Sequence, residues 1–266
     1  NGYRLNFAND GTKADLGGNA TSDLSGTAAL PILKTTSTSF GGELDPEGGV
    51  RADANSSHLV LAIPFTGKNL DTSCTDESNH INGSTSEKTV NIQYGNSLAK
   101  ISSEANKWYG ICLDFQAAPD NMKVQISADS DLAVGTGNYT LEFWLYHTDV
   151  NTDTITNNPF WESASNGSNG HRMRQISSTQ FEWRNASGAL VAFNCGPRFE
   201  WNHYAIVRSG TGSNETKIYV NGVQAAQCTD TQDATHTGPF YLGKTNDGLN
   251  DANTGVSGYI QDLRLY

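Results

Sequence analysis

Apolar and β-branched residues recur along this chain in short runs, broken every few positions by Gly, Asn, Asp, Ser and Thr. Runs of that kind read as strands. They fall near 3–8, 58–65, 89–94, 110–116, 122–127, 138–147, 159–163, 171–176, 180–184, 189–194, 202–208, 216–220, 223–228, 239–243 and 257–265. Helical periodicity is nearly absent. The one candidate is "SLAKISSEANKW" (97–108), where Leu98, Ile101 and Ala105 are roughly helix-spaced. Many short strands at fairly even spacing predict an all-β chain: a two-sheet antiparallel jelly-roll sandwich, rather than a parallel sheet covered by helices.

Three stretches can be read for their pleat. In "NYTLEFWLY" (138–146), Tyr139, Leu141, Phe143 and Leu145 share one face, and Thr140, Glu142, Trp144 and Tyr146 share the other. Bulky residues on both faces predict a strand that is covered on both sides or lines a groove. In "FEWRNASGALVAF", Phe181 and Trp183 face away from Glu182 and Arg184, and "NASG" (185–188) turns the chain into a hairpin. In "EWNHYAIVRSGTGSNETKIYVNG" (200–222), Glu200, His203 and Tyr204 resemble the start of an acid–base site. Alternation sends His203 and Tyr204 to opposite faces, however, so a packed strand is the better reading, with "NG" (221–222) as the next tight turn.

The segment "GGELDPEGGVRADANSS" (41–57) has no periodicity and is rich in Gly, Asp and Ser. It divides the chain into an N-terminal extension or the end of a preceding domain (1–50), a linker (51–56) and the sandwich (57–266). The chain starts at Asn1 and stops on the strand-like "YIQDLRLY", as expected of a segment of a longer polypeptide. The balance of 17 Lys+Arg against 28 Asp+Glu gives a net charge of −11, with no basic block, which excludes nucleic acid as a partner. The longest apolar run, "LVLAIPF" (59–65), is too short for membrane insertion. Cys74, Cys112, Cys195 and Cys228 form no CxxC pair. They read either as free thiols or, for Cys195 and Cys228 in their strand-like segments, as a disulfide.

The ordered motifs "WYGICLDFQAAPDNMKVQISADSDLAVGTGNYTLEFWLY", "EWNHYAIVRSGTGSNETKIYVNG", "FYLGK" and "GYIQDLRLY" resemble the laminin-G-like (concanavalin A-like) jelly-roll family over about residues 57–266. Asn202, Asn221 and Gln261 depart from that family's pattern. "GGVRADANSSHLVLAIPFTG", "CTDESNHINGS" and "NGYRLNFANDG" are similar to virion and tail-fibre proteins of marine bacteriophages. The resemblance implies a non-enzymatic structural or adhesion module, in a virion appendage or on an extracellular surface. Its partners would be host-surface glycans and other virion or surface-protein subunits, and it would assemble as a homo-oligomer.

The same fold class hosts glycosidases, so a carbohydrate-active enzyme is the competing reading, as is a bacterial adhesin. Glu43, Asp45 and Glu47 in "ELDPE" have alternate spacing, but Pro46 and the linker-like surroundings favour a solvated acidic stretch. No nucleophile elbow, zinc-protease motif or P-loop occurs, so no catalytic residue is assigned. Ca²⁺ is the cofactor to look for. "TNDGLNDANTG" (245–255) gathers Asp247, Asn250, Asp251 and Asn253 in a Gly-containing loop, a suitable set of oxygen ligands, and family domains often bind Ca²⁺ at the loop rim. The acid pairs Asp71/Asp76 and Asp129/Asp131 read as turn residues that satisfy their own backbone. Glycan contact needs exposed aromatic rings with amide partners on loops. Trp161 beside Asn157 and Asn158, and Tyr259, are the candidates, whereas Trp144, Trp183 and Trp201 are expected in the core.

Overall fold

The computed structural model of this chain describes residues 55–94, 99–115, 123–148, 158–163, 170–243 and 256–266. The extension 1–50, most of the linker and the strand expected at 3–8 lie outside the described residues. From Ser57 onward the described residues belong to one unit.

The described strands are β1 (Leu61–Ile63), β2 (Ser73–Thr75), β3 (Thr89–Tyr94), β4 (Lys100–Ser102), β5 (Cys112–Asp114), β6 (Lys123–Ile126), β7 (Tyr139–His147), β8 (Asn158–Glu162), β9 (His171–Ser177), β10 (Gln180–Asn185), β11 (Gly188–Asn194), β12 (Trp201–Arg208), β13 (Thr216–Val220), β14 (Val223–Cys228), β15 (Phe240–Leu242) and β16 (Gly258–Leu265). One short helix, α1 (Ser78–Asn82), ends on Gly83 in the left-handed region. The first sheet runs β14-β13-β12-β7-β16-β5-β4, with β1 also paired to β16, and the second runs β11-β10-β9-β8-β15-β6-β3-β2. This is the two-sheet antiparallel jelly roll that the strand spacing predicts.

β7 alternates buried and half-buried positions along its whole length. Leu141, Phe143 and Leu145 point inward and are at most 1% exposed. Burying side chains of this size contributes about 1.5–3 kcal/mol each. Their partners come from both sheets: Phe143 packs on Phe160 at 4.7 Å and on Tyr204 at 5.5 Å, and Phe181 meets Tyr204 at 5.8 Å. Tyr204 is fully buried while His203 is only half-buried, so the two residues do face opposite ways. Both hairpins form as expected: β10 closes onto β11 through Asn185 and Gly188, and Asn221-Gly222 turns β13 into β14 with positive φ at both residues. At Gly258 a side chain has no room, because a Cβ there would sit 2.0 Å from the carbonyl oxygen of Tyr146 on β7.

The expected helix at 97–108 is not formed over its described part. Lys100–Ser102 is a strand instead, with Ile101 fully buried opposite Leu113 of β5. Ala99 and Ile101 fill the interior at two-residue spacing, and pairing with β5 overrides the local helical pattern. One member of each acid pair acts as a turn residue, Asp129 accepting the Asp131 N–H and Asp71 the Lys68 N–H. Asp131 instead accepts from the Ser86 N–H and the Lys88 ammonium across the fold. Asp76 accepts the N–H groups of Ala62, Ser78 and Lys88, tying β1 to the chain that follows α1. All four thiols are free.

A buried polar cluster fixes one end of the sandwich. Arg208, 1% exposed, donates to the carbonyls of Gly135, Gly137 and Gln232 and lies over the Tyr139 ring at 4.7 Å. Asp230, fully buried, accepts from the His171 ring at 2.6 Å, from the Asn185 amide and from the Gln232 N–H. Burial alone would raise the Asp230 carboxyl, but the hydrogen bonds from His171, Gln232 and Asn185 together hold it below the usual range. A carboxylate with a depressed folded-state pKa contributes stability that is complete above its unfolded value of about 3.9 and is lost as pH falls through the folded value. Asp230→Asn should therefore be less stable than the parent by a constant margin above about pH 4, and the margin should close on further acidification. Urea unfolding of both proteins across pH checks this, and a margin that widens in acid contradicts it.

Candidate functional site

The outward side of the first sheet is aromatic. In the register of the ladder, Tyr146 of β7 lies between Trp201 of β12 and Tyr259 of β16, and Trp144 lies between His203 and Gln261. Facing side chains on neighbouring strands touch. Tyr146 meets the edges of Trp201 and Tyr259, each at 5.7 Å, and the Trp144 and His203 rings are 5.1 Å apart. Trp144, Tyr146, Trp201 and His203 are all half-buried.

The loop between β4 and β5 adds the exposed member. Trp108 is 51% exposed and meets Trp144 edge-on at 5.7 Å. Gln261 holds it there. This fully buried side chain accepts the N–H groups of Lys107 at 2.9 Å and Trp108 at 3.0 Å, and its amide donates to the Ile111 carbonyl. The Lys107 ammonium then lies over the Trp108 ring at 5.1 Å and over the Trp144 ring at 4.6 Å. Polar groups rim the aromatics: the His203 ring faces Glu142 at 3.5 Å, and Tyr259 donates to Glu104 at 3.3 Å. Burial first, then the charges of Asp114 and Glu104, push the Tyr259 phenol up to about 12, so it stays protonated as a donor.

Tyr259 is thus part of this face, 7% exposed, with its hydroxyl turned to the rim. Trp161 is elsewhere. An irregularity of register between Pro159 and Trp161 accompanies an inward ring, 2% exposed and edge-on to Phe240 at 4.9 Å. It is a core residue and presents no surface to a sugar. Asn158 opens β8, while Asn157 and the Ca²⁺ candidates Asp247, Asn250, Asp251 and Asn253 lie outside the described residues. Among the described residues no group of three His, Cys, Asp or Glu side chains is placed to hold a metal, and no helix is long and apolar enough to cross a membrane. Trp183 is in the core as expected, but Trp144 and Trp201 are not: both lie on the outward face. The doubled bulk of "NYTLEFWLY" carried that signal, since a strand with large side chains on both sides must show one set outward.

A small, partly open pocket lies beside Trp161 and Trp183, lined also by Leu141, Ala234 and Leu265.

The profile of the concanavalin A-like lectin/glucanase superfamily matches residues 119–266. No curated protein sequence matches the chain. Its fold is similar to that of the binding domain of Paraclostridial Mosquitocidal Protein 1, at TM-score 0.57 and 12% identity over 79% of this chain and 49% of that one. It is similar to Trypanosoma rangeli sialidase in complex with 2,3-difluorosialic acid, at TM-score 0.57 and 13% identity over 87% of this chain and 34% of the sialidase. It is also similar to botulinum neurotoxin type C, whose cell entry depends on interaction with two ganglioside molecules, at TM-score 0.56 and 15% identity over 80% of this chain and 49% of that one. The chain spans about half the length of the toxin chains and about a third of the sialidase's, and at these identities the likeness is one of fold.

If Gln261 fixes Trp108 as described, Gln261→Leu should cost about 1–3 kcal/mol in urea unfolding, because the Lys107, Trp108 and Ile111 backbone groups lose their partner. Tryptophan emission should shift to longer wavelength as the loop loosens. A variant with the parent's stability and spectrum would contradict the assignment.

Proposed function

The chain belongs to the concanavalin A-like lectin/glucanase superfamily, and from that premise we propose that it is a non-enzymatic adhesion module of a virion appendage or other surface protein. It contacts host-surface glycans through the aromatic face of its first sheet. The observation that carries this reading is Trp108, half exposed and held in fixed contact with Trp144 by Gln261. A flat indole edge or face meets the C–H side of a sugar ring, and the nearby Glu104, Lys107 and His203 offer hydrogen bonds to its hydroxyls. Preorganisation matters here, because a ring already pinned loses little freedom on binding.

The neurotoxin type C neighbour, with its dependence on gangliosides, supports a glycan as the partner. The carboxylates of the described sandwich support a binding role over hydrolysis. A glycosidase needs two cooperating carboxyl groups across the scissile bond. Here Glu162 is engaged by Arg172, Glu182 by Arg174, and Asp230 by His171. Attachment to a virion or surface assembly, self-association into a homo-oligomer and Ca²⁺ at the Asp247–Asn253 loop complete the proposal.

A glycan array probed with the parent and Trp108→Ala, each with and without EDTA, tests it. The parent should bind a subset of glycans and the variant should lose about tenfold in affinity, the scale of one lost stacking contact. Loss of binding in EDTA would assign Ca²⁺ to recognition. Equal binding by Trp108→Ala, or release of product from a polysaccharide, would sink the reading.

A further inference from the structure

Two aromatic side chains among the described residues stand largely in water: Trp108 and Phe199, each 51% exposed. Trp108 leans on Trp144, at one end of the aromatic face. Phe199 lies at the other end. It comes two positions before Trp201 in the chain, and its N–H donates to the carbonyl of His147, next to Tyr146, at 2.9 Å. Trp201 and Tyr146 are themselves partners in the ladder. From the level of Trp144 to that of Phe199 is three to four residues of strand, or about 10–14 Å, with the Tyr146 and Trp201 rings between.

The fold gains little from having phenylalanine at this position. Its φ of 62° lies in the left-handed region, which a bulky side chain disfavours and glycine adopts freely. Half of the residue stays in water, so the burial that offsets such strain elsewhere is small. Backbone strain of this kind persists where it serves a site. The ring is also held. The Arg198 guanidinium lies 5.9 Å from its centre, as the Lys107 ammonium lies 5.1 Å from the Trp108 ring, so each exposed ring follows a cation that packs on it.

We propose that Phe199 is a second sugar-stacking subsite, and that the face takes a linear oligosaccharide laid along β7 and β12 rather than one terminal sugar. This inference rests on the glycan reading of the Trp108 face and names the class of ligand for it. A chain already seated on Trp108 reaches Phe199 without a further loss of translational freedom, so the second contact adds to the first. The half-buried Tyr146 and Trp201 supply an apolar floor between the two.

The test is titration of the whole chain with cello-, chito-, manno- and malto-oligosaccharides, each from monosaccharide to octasaccharide, using the parent, Trp108→Ala, Phe199→Gly and Leu70→Gly. Leu70 is the control: it is 61% exposed with a φ of 75°, but its N–H donates to the Ile101 carbonyl beyond the β4 edge, away from β12. At least one series should bind the parent, with affinity rising along it. Phe199→Gly should flatten that rise and hold the longest member about tenfold more weakly, the scale of one lost stacking contact, while Leu70→Gly follows the parent. The urea midpoint of Phe199→Gly should equal or exceed the parent's, because glycine takes positive φ without strain. The proposal is overturned if no series binds, if monosaccharide and octasaccharide bind the parent alike, or if Leu70→Gly loses as much as Phe199→Gly. A lowered midpoint for Phe199→Gly, which would make the ring a structural one, overturns it too. Weaker binding by Trp108→Ala with Phe199→Gly equal to the parent sinks this inference alone, whereas Trp108→Ala equal to the parent sinks the glycan reading with it.

Discussion

β7 is clamped on both edges, by β12 on one side and β16 on the other, and the two-residue period of its side chains does the rest. Slipping either ladder by one residue would exchange Leu141, Phe143 and Leu145 for Glu142, Trp144 and Tyr146, placing a carboxylate in the interior and aliphatic groups in water. The aromatic packing of Phe143 and Phe181 on Tyr204 therefore fixes register as well as stability. With register fixed, the outward row follows automatically: Trp201, Tyr146 and Tyr259 must meet, and Trp144 must lie between His203 and Gln261.

The two outward faces follow from one architecture yet differ in kind. The first sheet brings half-buried rings together and adds a pinned indole from a loop. The second aligns Glu162, Arg172 and Arg184 along one row. Among the described residues neither face is a deep cleft.

Much of this was legible in the sequence. The strand spacing, the split faces of "NYTLEFWLY", the opposed His203 and Tyr204, and the two hairpins all depend on local rules and are found in the structure. What failed were inferences that require a partner. The helical spacing of Ile101 with its neighbours lost to pairing with Leu113. Trp161 reads as a loop-edge ring, yet the register irregularity before it leaves the ring inside. Trp144 and Trp201 read as core because large aromatics usually are, although the alternation of their own strands placed them opposite the core set. Gln261 was visible only as a departure from its family's pattern. Its role in holding Trp108 joins positions 153 residues apart, and no local pattern encodes that. The alignment of Arg172 with Arg184 and Glu162 is likewise a product of long-range pairing, since the two arginines sit on separate strands and Glu162 on a third.

The four free thiols have a chemical consequence of their own. Burial first, with help from Asp76, pushes the Cys74 thiol up to about 12; with Asp114 it does the same for Cys112, and with Asp230 it lifts Cys228 to about 11. Burial likewise raises Cys195. Protonated sulfur is a poor nucleophile, so these groups resist both oxidation and exchange. No covalent staple is awaited. Among the described residues the fold is held by packing and hydrogen bonding, with no covalent cross-link between its cysteines.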